Sequence, residues 1–324
     1  MDHLPELGTA IQNVVIPTFK LYDPLLQKNA GHIKATPKST HQYGQHERQV
    51  LDVYSPSKPS IIDGRRPVLM FEYGGGLVNG SRTLSMFGNE LVYANVGAFF
   101  ASKFGYTVVI IDYRLMSHGA KFPSGGQDVA LAAEWIVKNK DQVSDSCPID
   151  LFLMGNSAGG IHLSTFLLHS DFSKTRHQVL TGSDVRLRGA ILLAVPFDFE
   201  TATSDRTETL EMYFGDYQAN SPLGLLKAAK QSAPFDFVKA GVRLLVLDAD
   251  LDPEDEILKP RDRFVKEWLG LTDSAGRGAL AVDWILGHNH ISPVAALSTG
   301  IDKEEAWGCQ VAAFCDGIRK FAPR

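Results

Sequence analysis

The chain has 324 residues, of which 44% are hydrophobic and 21% charged, and 32 Lys and Arg against 37 Asp and Glu give a formal net charge of −5. These ordinary globular values exclude a disordered, collagen-like or disulfide-scaffold protein. The negative balance argues against a nucleic-acid partner, because such binding depends on cationic contacts to phosphate.

Short apolar segments recur along the chain and predict strands. The first alternates like an outer strand, whereas several later ones are almost entirely apolar and rich in β-branched residues, as in strands that are buried on both faces. In chain order the predicted strands are 48–54, 68–73, 106–113, 150–154, 189–195, 242–248 and 281–286.

Helical patterns separate these strands. Residues 126–140 carry one apolar stripe, residues 158–169 follow a glycine-rich turn, and later candidates span 257–269 and 304–320. The alternation predicts an α/β fold with a central, mostly parallel sheet that is flanked by helices.

Two stretches fit this alternation poorly. Residues 1–46 mix proline, histidine and polar residues, and residues 198–237 contain no clear strand. Long excursions from a compact sheet commonly form lids or binding elements. We therefore predict an N-terminal cap segment at 1–46, a cap insertion at 198–237, and a catalytic core built from 47–197 and 238–324.

Sorting and redox signals favour a cytoplasmic protein. The first 15 residues contain an early acid and no continuous apolar run, unlike a signal peptide, and no segment approaches the roughly 18 apolar residues of a membrane span. Cys147, Cys309 and Cys315 form no CxxC pair, so we expect three packing cysteines in a reducing compartment.

A G-x-S-x-G motif, Gly155 to Gly159, lies between a predicted strand and a predicted helix. This context is the one that a nucleophile elbow requires, in which a strained turn exposes a serine at the start of a helix. Ser157 is therefore the candidate nucleophile. The alternative is a plain strand–helix turn with an idle serine.

Three glycines, Gly74 to Gly76, directly follow the strand at 68–73. Glycine lets the backbone turn its N–H groups toward a ligand, as an oxyanion hole requires. A flexible loop is the alternative. The lysine of a phosphate-binding loop is missing from this position.

These residues carry a resemblance to a known family. The chain resembles α/β-hydrolase carboxylesterases of the hormone-sensitive-lipase type, whose glycine loop reads HGGG. The likeness extends from residue 48 to about 320. The motifs that carry it are YGGG at 73–76, DYRL at 112–115, FPSGGQDV at 122–129, GNSAGG at 155–160 and DADLDP at 248–253, followed by a late histidine.

The resemblance implies an α/β-hydrolase fold with a helical cap, which the two excursions would build. It also implies oxyanion donors at the N–H groups of Gly75, Gly76 and Ala158. The chain departs from the family at Tyr73, which replaces the motif histidine that holds the glycine loop. We expect Tyr73 or Glu72 to hold the loop instead.

An acid and a base are expected after the late strands, in the order Ser, acid, His. Asp248, Asp250 and Asp252 all follow one strand, and Asp252 matches the family's acidic turn before proline. His288 and His290 both follow the last strand. His290 fits the family's loop position better, and a metal site on the two histidines is the other interpretation, although they form no zinc signature.

The sequence thus predicts a serine hydrolase that cleaves carboxylic esters of small acyl groups or small-molecule metabolites through an acyl-enzyme, with no metal or organic cofactor. Ser157 attacks, His290 moves the proton and Asp252 orients the imidazole. The residues expected in or near the substrate pocket are Phe19, Tyr73, Leu77, Phe197, Tyr213 and Phe214.

Several alternatives stay open at this stage. An arylformamidase, another amidase, or a tailoring hydrolase or thioesterase of secondary metabolism would use the same site. A non-catalytic small-molecule binding protein on the same fold is the alternative from another class. A small-molecule ester is the expected partner, with a possible homodimer and neither nucleic acid nor a membrane span.

Overall fold

One eight-stranded sheet organises the chain. The computed structural model describes residues 2–85, 87–229, 236–271 and 273–321. The sheet order is β1-β2-β4-β3-β5-β6-β7-β8, in which β1 and β2 run antiparallel to their neighbours and all other pairs are parallel. The strands are β1 Lys38–Gln42, β2 Val50–Tyr54, β3 Arg66–Glu72, β4 Thr107–Ile111, β5 Ile149–Asn156, β6 Val185–Leu193, β7 Arg243–Leu251 and β8 Leu280–Asn289.

Helices cover both faces of the sheet, so the predicted mostly parallel α/β architecture is confirmed. The helices are α1 Ile11–Lys28, α2 Ala30–Lys34, α3 Ala94–Phe104, α4 Ser124–Lys138, α5 Lys140–Ser144, α6 Ala158–Leu168, α7 Ser173–Thr181, α8 Thr207–Phe214, α9 Pro222–Ala229, α10 Asp236–Lys239, α11 Lys259–Leu271, α12 Ser274–Arg277, α13 Ser292–Ala296 and α14 Asp302–Phe321.

The central strands explain why the apolar segments lack polar alternation. Along β3, Val68 and Met70 belong to one apolar core, whereas Leu69 and Phe71 belong to the core on the opposite face. A strand that contributes to two cores has no face left for polar residues. Strands β3 to β8 run parallel, so their carboxyl ends lie at the same edge of the sheet. The loops that carry the predicted site residues begin at this edge.

The N-terminal region differs from the prediction. The strand predicted at 48–54 corresponds to β2 and is not the outer strand, because β1 pairs with the side of β2 that does not contact β4. The sequence pattern predicts no strand within 1–46, and β1 escapes detection because its residues are polar and mostly exposed, as edge strands often are. Helix α1 is obscured in the sequence by its internal prolines, Pro17 and Pro24.

The described part of the excursion at 198–237 is helical. It contains a short helical turn at Ser204–Arg206, then α8 and α9, and it ends within α10. Residues 230–235 of this predicted cap insertion lie outside the described residues. Across the described ranges, no helix has the length and apolar character needed to cross a membrane. All three cysteines are free.

Candidate active site

Ser157 occupies the sharp turn between β5 and α6. Its φ of 52° and ψ of −118° lie in a region that residues with a side chain rarely adopt. The turn also needs glycine for close packing, since a Cβ on Gly159 would lie 2.2 Å from the carbonyl oxygen of Glu72. The GNSAGG motif therefore folds as a strand–turn–helix elbow that presents Ser157 at the N-terminus of α6.

The structure brings Ser157, His290 and Asp252 together. His290 follows β8 and Asp252 follows β7, and these neighbouring parallel strands end at the same edge. The Nε2 atom of His290 lies 3.0 Å from Ser157 Oγ, and its Nδ1 lies 2.7 Å from Asp252 Oδ1. The second oxygen of Asp252 accepts a hydrogen bond from the Ala249 N–H at 2.8 Å. A histidine in this arrangement can accept the serine proton while the carboxylate stabilises the imidazolium.

The two other candidate acids have different partners. The Asp250 carboxylate accepts a hydrogen bond from the Gly287 N–H at 2.7 Å. Asp248 is fully buried on β7, 3.4 Å from an Nη of Arg261, and burial raises the pKa of Asp248 well above its usual value. Neither carboxylate makes a described hydrogen bond to His290.

His288, near the end of β8, contacts residues other than Ser157 and Asp252. Its Nδ1 lies 2.9 Å from Ser292 Oγ, and its Nε2 lies 4.0 Å from a carboxylate oxygen of Glu304. Burial lowers the pKa of His288 to about 4, which outweighs the opposing effect of Glu304. The two histidines therefore have separate sets of partners.

The glycine loop turns sharply beside Ser157. Gly75 and Gly76 have φ values of 145° and 62°, and a Cβ on Gly75 would lie 2.0 Å from the carbonyl oxygen of Asn79. Gly76 and Ala158 line the same cavity as Ser157, whereas Gly75 does not line it. Within the described residues, the N–H groups of Gly75, Gly76 and Ala158 donate to no protein acceptor. Gly76 and Ala158 therefore line the cavity beside Ser157 with backbone N–H groups that have no protein acceptor among the described residues.

Tyr73 lies behind the glycine loop. Its ring stacks on Tyr113 with centroids 4.7 Å apart, and its hydroxyl donates to Asp112 at 2.7 Å and accepts from Arg48 at 2.7 Å. The Tyr73 carbonyl in turn accepts the Tyr113 hydroxyl at 2.8 Å. These contacts connect the start of the loop to Arg48, Asp112 and Tyr113. Glu72 is fully buried, and burial raises the pKa of its carboxyl well above the usual range.

A narrow cavity opens above Ser157. Its volume is about 30 Å³. Its walls come from α1, the glycine loop, the elbow, the segment between β6 and α9, and the turn after β7. The lining residues are Ile11, Gly76, Leu77, Ser157, Ala158, Ile161, Pro196, Phe199, Arg206, Thr209, Leu210 and Ile257.

Leu77 alone among the predicted pocket residues lines this cavity. Phe197 is buried and stacks on Phe264, with centroids 4.3 Å apart. The Tyr213 hydroxyl accepts the Gly125 N–H at 3.3 Å. The other three pack in the core, where Tyr73 stacks on Tyr113, Phe214 packs against Phe122 and Phe199, and Phe19 stacks on Phe87.

The cavity uses residues that no motif marks. Phe199, Arg206, Thr209 and Leu210 come from the stretch that was predicted to be a cap insertion, and Ile11 comes from α1. Their only signal in the sequence is that they fall in the two stretches that break the strand–helix alternation. Their side chains were unpredictable because the path of an irregular segment over the sheet leaves no periodic pattern.

Comparisons with known proteins agree with this architecture. A family model described as BD-FAE matches residues 51–254. Esterase LipC of Mycobacterium tuberculosis is 29% identical over 180 residues, which cover 54% of this chain and 40% of LipC. Carboxylesterase 3B of Mus musculus is 31% identical over 144 residues, 42% of this chain and 23% of that protein. The chain thus spans less than half the length of these relatives.

Two groups of solved structures have a similar fold. Inhibited esterase B from Lactobacillus rhamnosis superimposes with a TM-score of 0.63 at 16% identity, covering 90% of this chain and 92% of that one. The hyperthermophilic esterase from Pyrobaculum calidifontis gives a TM-score of 0.54 at 20% identity, covering 98% and 96%. The chain therefore has the α/β-hydrolase fold that the motifs predicted.

Proposed function

The chain belongs to the BD-FAE family, and on that basis we propose that it is a carboxylic ester hydrolase with a serine nucleophile. The observation that carries the proposal is the hydrogen-bonded series from Ser157 through His290 to Asp252. The names of the relatives, which are esterases and carboxylesterases, support ester hydrolysis.

Acylation begins at Ser157. His290 Nε2 takes the hydroxyl proton as Oγ attacks the ester carbonyl, and the buried Asp252 stabilises the imidazolium that forms. The resulting tetrahedral intermediate collapses when the bond to the alcohol breaks and His290 returns the proton to the leaving oxygen. The product of this half-reaction is an ester between the acyl group and Ser157.

Backbone donors stabilise the charge that develops on the carbonyl oxygen. The N–H groups of Gly76 and Ala158 face the cavity, and Gly75 is proposed as a further donor from the same loop. Each fixed donor of this kind contributes about 10²–10³ in rate. The N-terminus of α6 adds a favourable dipole at the same place.

Deacylation uses the same groups, with water as the nucleophile and Ser157 as the leaving group. His290 removes a proton from water, the resulting hydroxide attacks the acyl-enzyme carbonyl, and Ser157 Oγ leaves with the proton that His290 gives back. The acid is released and the free serine is restored. This chemistry draws on the chain's own residues throughout.

The size of the cavity supports small acyl groups as substrates. The walls around Ser157 are close and mostly apolar, and the cap insertion together with α1 forms the roof in this proposal. A roof of this kind excludes water from the reacting carbonyl and limits the length of the acyl chain. We assign residues 1–37 to the cap and β1 to the core.

Labelling with a fluorophosphonate tests the proposal, because the reagent attaches to an activated serine. The wild-type protein should be labelled and should hydrolyse p-nitrophenyl butyrate. Ser157→Ala should lose both, with kcat lower by about 10⁶. Ser164→Ala, a buried serine of α6 away from the cavity lining, is the matched control and should retain both. A Ser157→Ala variant with unchanged circular dichroism and more than about a tenth of the wild-type rate would refute the serine mechanism.

A further inference from the structure

Arg206 is the charged residue of the cavity. Among the described residues that line the space above Ser157, it alone carries a charged side chain, and most of the others are apolar. In a pocket of this composition, the few polar groups determine the orientation and identity of the ligand. A neutral ester with a short acyl chain offers no group that would require a guanidinium.

The guanidinium lies beside the glycine loop. Arg206 ends the short helical turn Ser204–Arg206 of the cap insertion, and its Nη2 lies only 3.6 Å from the point that a Cβ on Gly76 would occupy. Because Gly76 and Ser157 line the same cavity, a group bound to Arg206 would belong to the molecule whose carbonyl reacts.

One side of the guanidinium is already anchored. Its Nη1 donates to a carboxylate oxygen of Glu256, which lies on the turn after Asp252 and does not line the cavity. Within the described residues, the Nε and Nη2 groups have no protein acceptor. Glu256 therefore holds Arg206 in place from outside the cavity, and the unused donors remain available to a ligand.

An arginine presented in this way matches a carboxylate. The guanidinium stays charged at all accessible pH values and donates in a planar fork that fits two carboxylate oxygens. Thr209, which follows one turn later on α8, adds a hydroxyl to the same wall. We propose that Arg206 is a specificity-determining residue that binds a carboxylate on the substrate, so that the preferred substrates are esters carrying a free carboxylate group. This inference rests on the proposed ester hydrolase activity.

Paired substrates on one skeleton test the inference. On the acyl side, monomethyl succinate is compared with methyl succinamate; on the alcohol side, 4-carboxyphenyl butyrate is compared with 4-carbamoylphenyl butyrate. Each pair differs only in a carboxylate or a carboxamide. The wild-type kcat/KM, measured by acid release, should favour the carboxylate by at least about tenfold in one pair, which identifies the side that Arg206 contacts.

Variants assign the preference to Arg206. Arg206→Gln should remove the preference for the carboxylate, and Arg206→Lys should keep part of the preference. Glu256→Gln keeps an amide oxygen that can accept from Arg206 Nη1 but removes the competing negative charge, so it should increase the preference. Arg263→Gln is the matched control, because Arg263 forms an ion pair with Asp198 of the cap insertion and does not line the cavity, so it should leave the ratio unchanged.

Three results would overturn the inference. The first is a wild-type enzyme with no preference for the carboxylate in either pair. The second is an Arg206→Gln variant in which kcat/KM falls equally for both members of a pair. The third is an Arg263→Gln variant that changes the ratio as much as Arg206→Gln does. The proposed activity has its own readout, since p-nitrophenyl butyrate contains no carboxylate. Turnover of that ester without any carboxylate preference would refute the role of Arg206 alone, whereas failure of every ester together with failure of fluorophosphonate labelling would refute the hydrolase itself.

Discussion

Asn289 ties the loop that carries His290 to the N-terminal helix through Thr18. Its side-chain amide donates to Thr18 Oγ1 at 2.8 Å, and both residues are fully buried. The amide oxygen of Asn289 accepts the N–H groups of Ile291 and Ser292 at 3.1 and 3.0 Å. One side chain thus holds α1 and shapes the turn that presents His290 to Ser157.

Asn289→Ala should lower kcat by about 10- to 100-fold, because misplacing a catalytic group by about 1 Å costs up to about 10² in rate. Thr18→Val removes one of the three hydrogen bonds and keeps the turn. It should cost about 1–3 kcal/mol of unfolding free energy with a smaller effect on kcat, because a buried donor is left unpaired. Urea unfolding and p-nitrophenyl butyrate hydrolysis measure the two effects. A wild-type kcat in Asn289→Ala would show that the turn does not depend on this amide.

His288, near the end of β8, and His290, directly after it, should respond differently to substitution. His290→Ala should lower kcat by about 10⁶, as Ser157→Ala does, because residues of one triad act as a unit. His288→Gln should retain measurable turnover, because the His288 ring contacts Ser292 and lies near Glu304 instead of Ser157. Steady-state rates with one ester measure both. The reverse pattern would transfer the base to His288 and leave the nucleophile assignment intact.

A local pattern was enough to predict the candidate nucleophile, whereas Asp252 and His290 were chosen over their neighbours through the family resemblance. The β5–elbow–α6 unit has an apolar strand, a glycine-rich turn and an apolar helix in immediate succession, so Ser157 was identifiable without tertiary information. His290 and Asp252 follow β8 and β7, and their meeting depends only on two adjacent parallel strands ending at the same edge. That consequence of topology follows from the fold class.

The walls of the cavity depend on long-range packing and could not be predicted in the same way. Large aromatic residues were predicted to line the pocket, but Phe197 and Tyr213 instead pack in the core. Aromatic residues contribute most of the buried area of a core, so residue size alone does not distinguish a pocket wall from interior packing. Arg206 reaches the cavity through the path of the cap insertion, which no periodic pattern specifies.

Stability should decrease in mild acid because His288 is buried in its neutral form. Its pKa falls from 6.5 to about 4 on folding, so the unfolded chain binds the extra proton between these values. The free energy of unfolding should therefore keep its full value above pH 6.5 and should decrease by about 3 kcal/mol as the pH falls to 4. Buried His162, whose pKa is lowered to about 3, adds to the loss. Urea unfolding from pH 7 to 4 measures the slope, which His288→Gln should flatten; an unchanged slope would exclude His288 as its source.

The close walls of the cavity predict a sharp limit on acyl length. Each methylene that fits contributes at most about 0.8 kcal/mol, so kcat/KM for p-nitrophenyl esters should rise over the first carbons, peak between acetate and hexanoate, and fall once the acyl chain meets the wall. Leu210 of α8 forms part of that wall. Leu210→Ala should therefore shift the optimum to a longer chain by one or two carbons.

Leu223→Ala is the matched control, because Leu223 is an equally buried leucine of α9 that does not line the cavity, and it should leave the optimum in place. Rapid wild-type hydrolysis of long-chain lipid emulsions, or the same shift in both variants, would mean that Leu210 does not set the limit and that the acyl chain leaves Ser157 by another route.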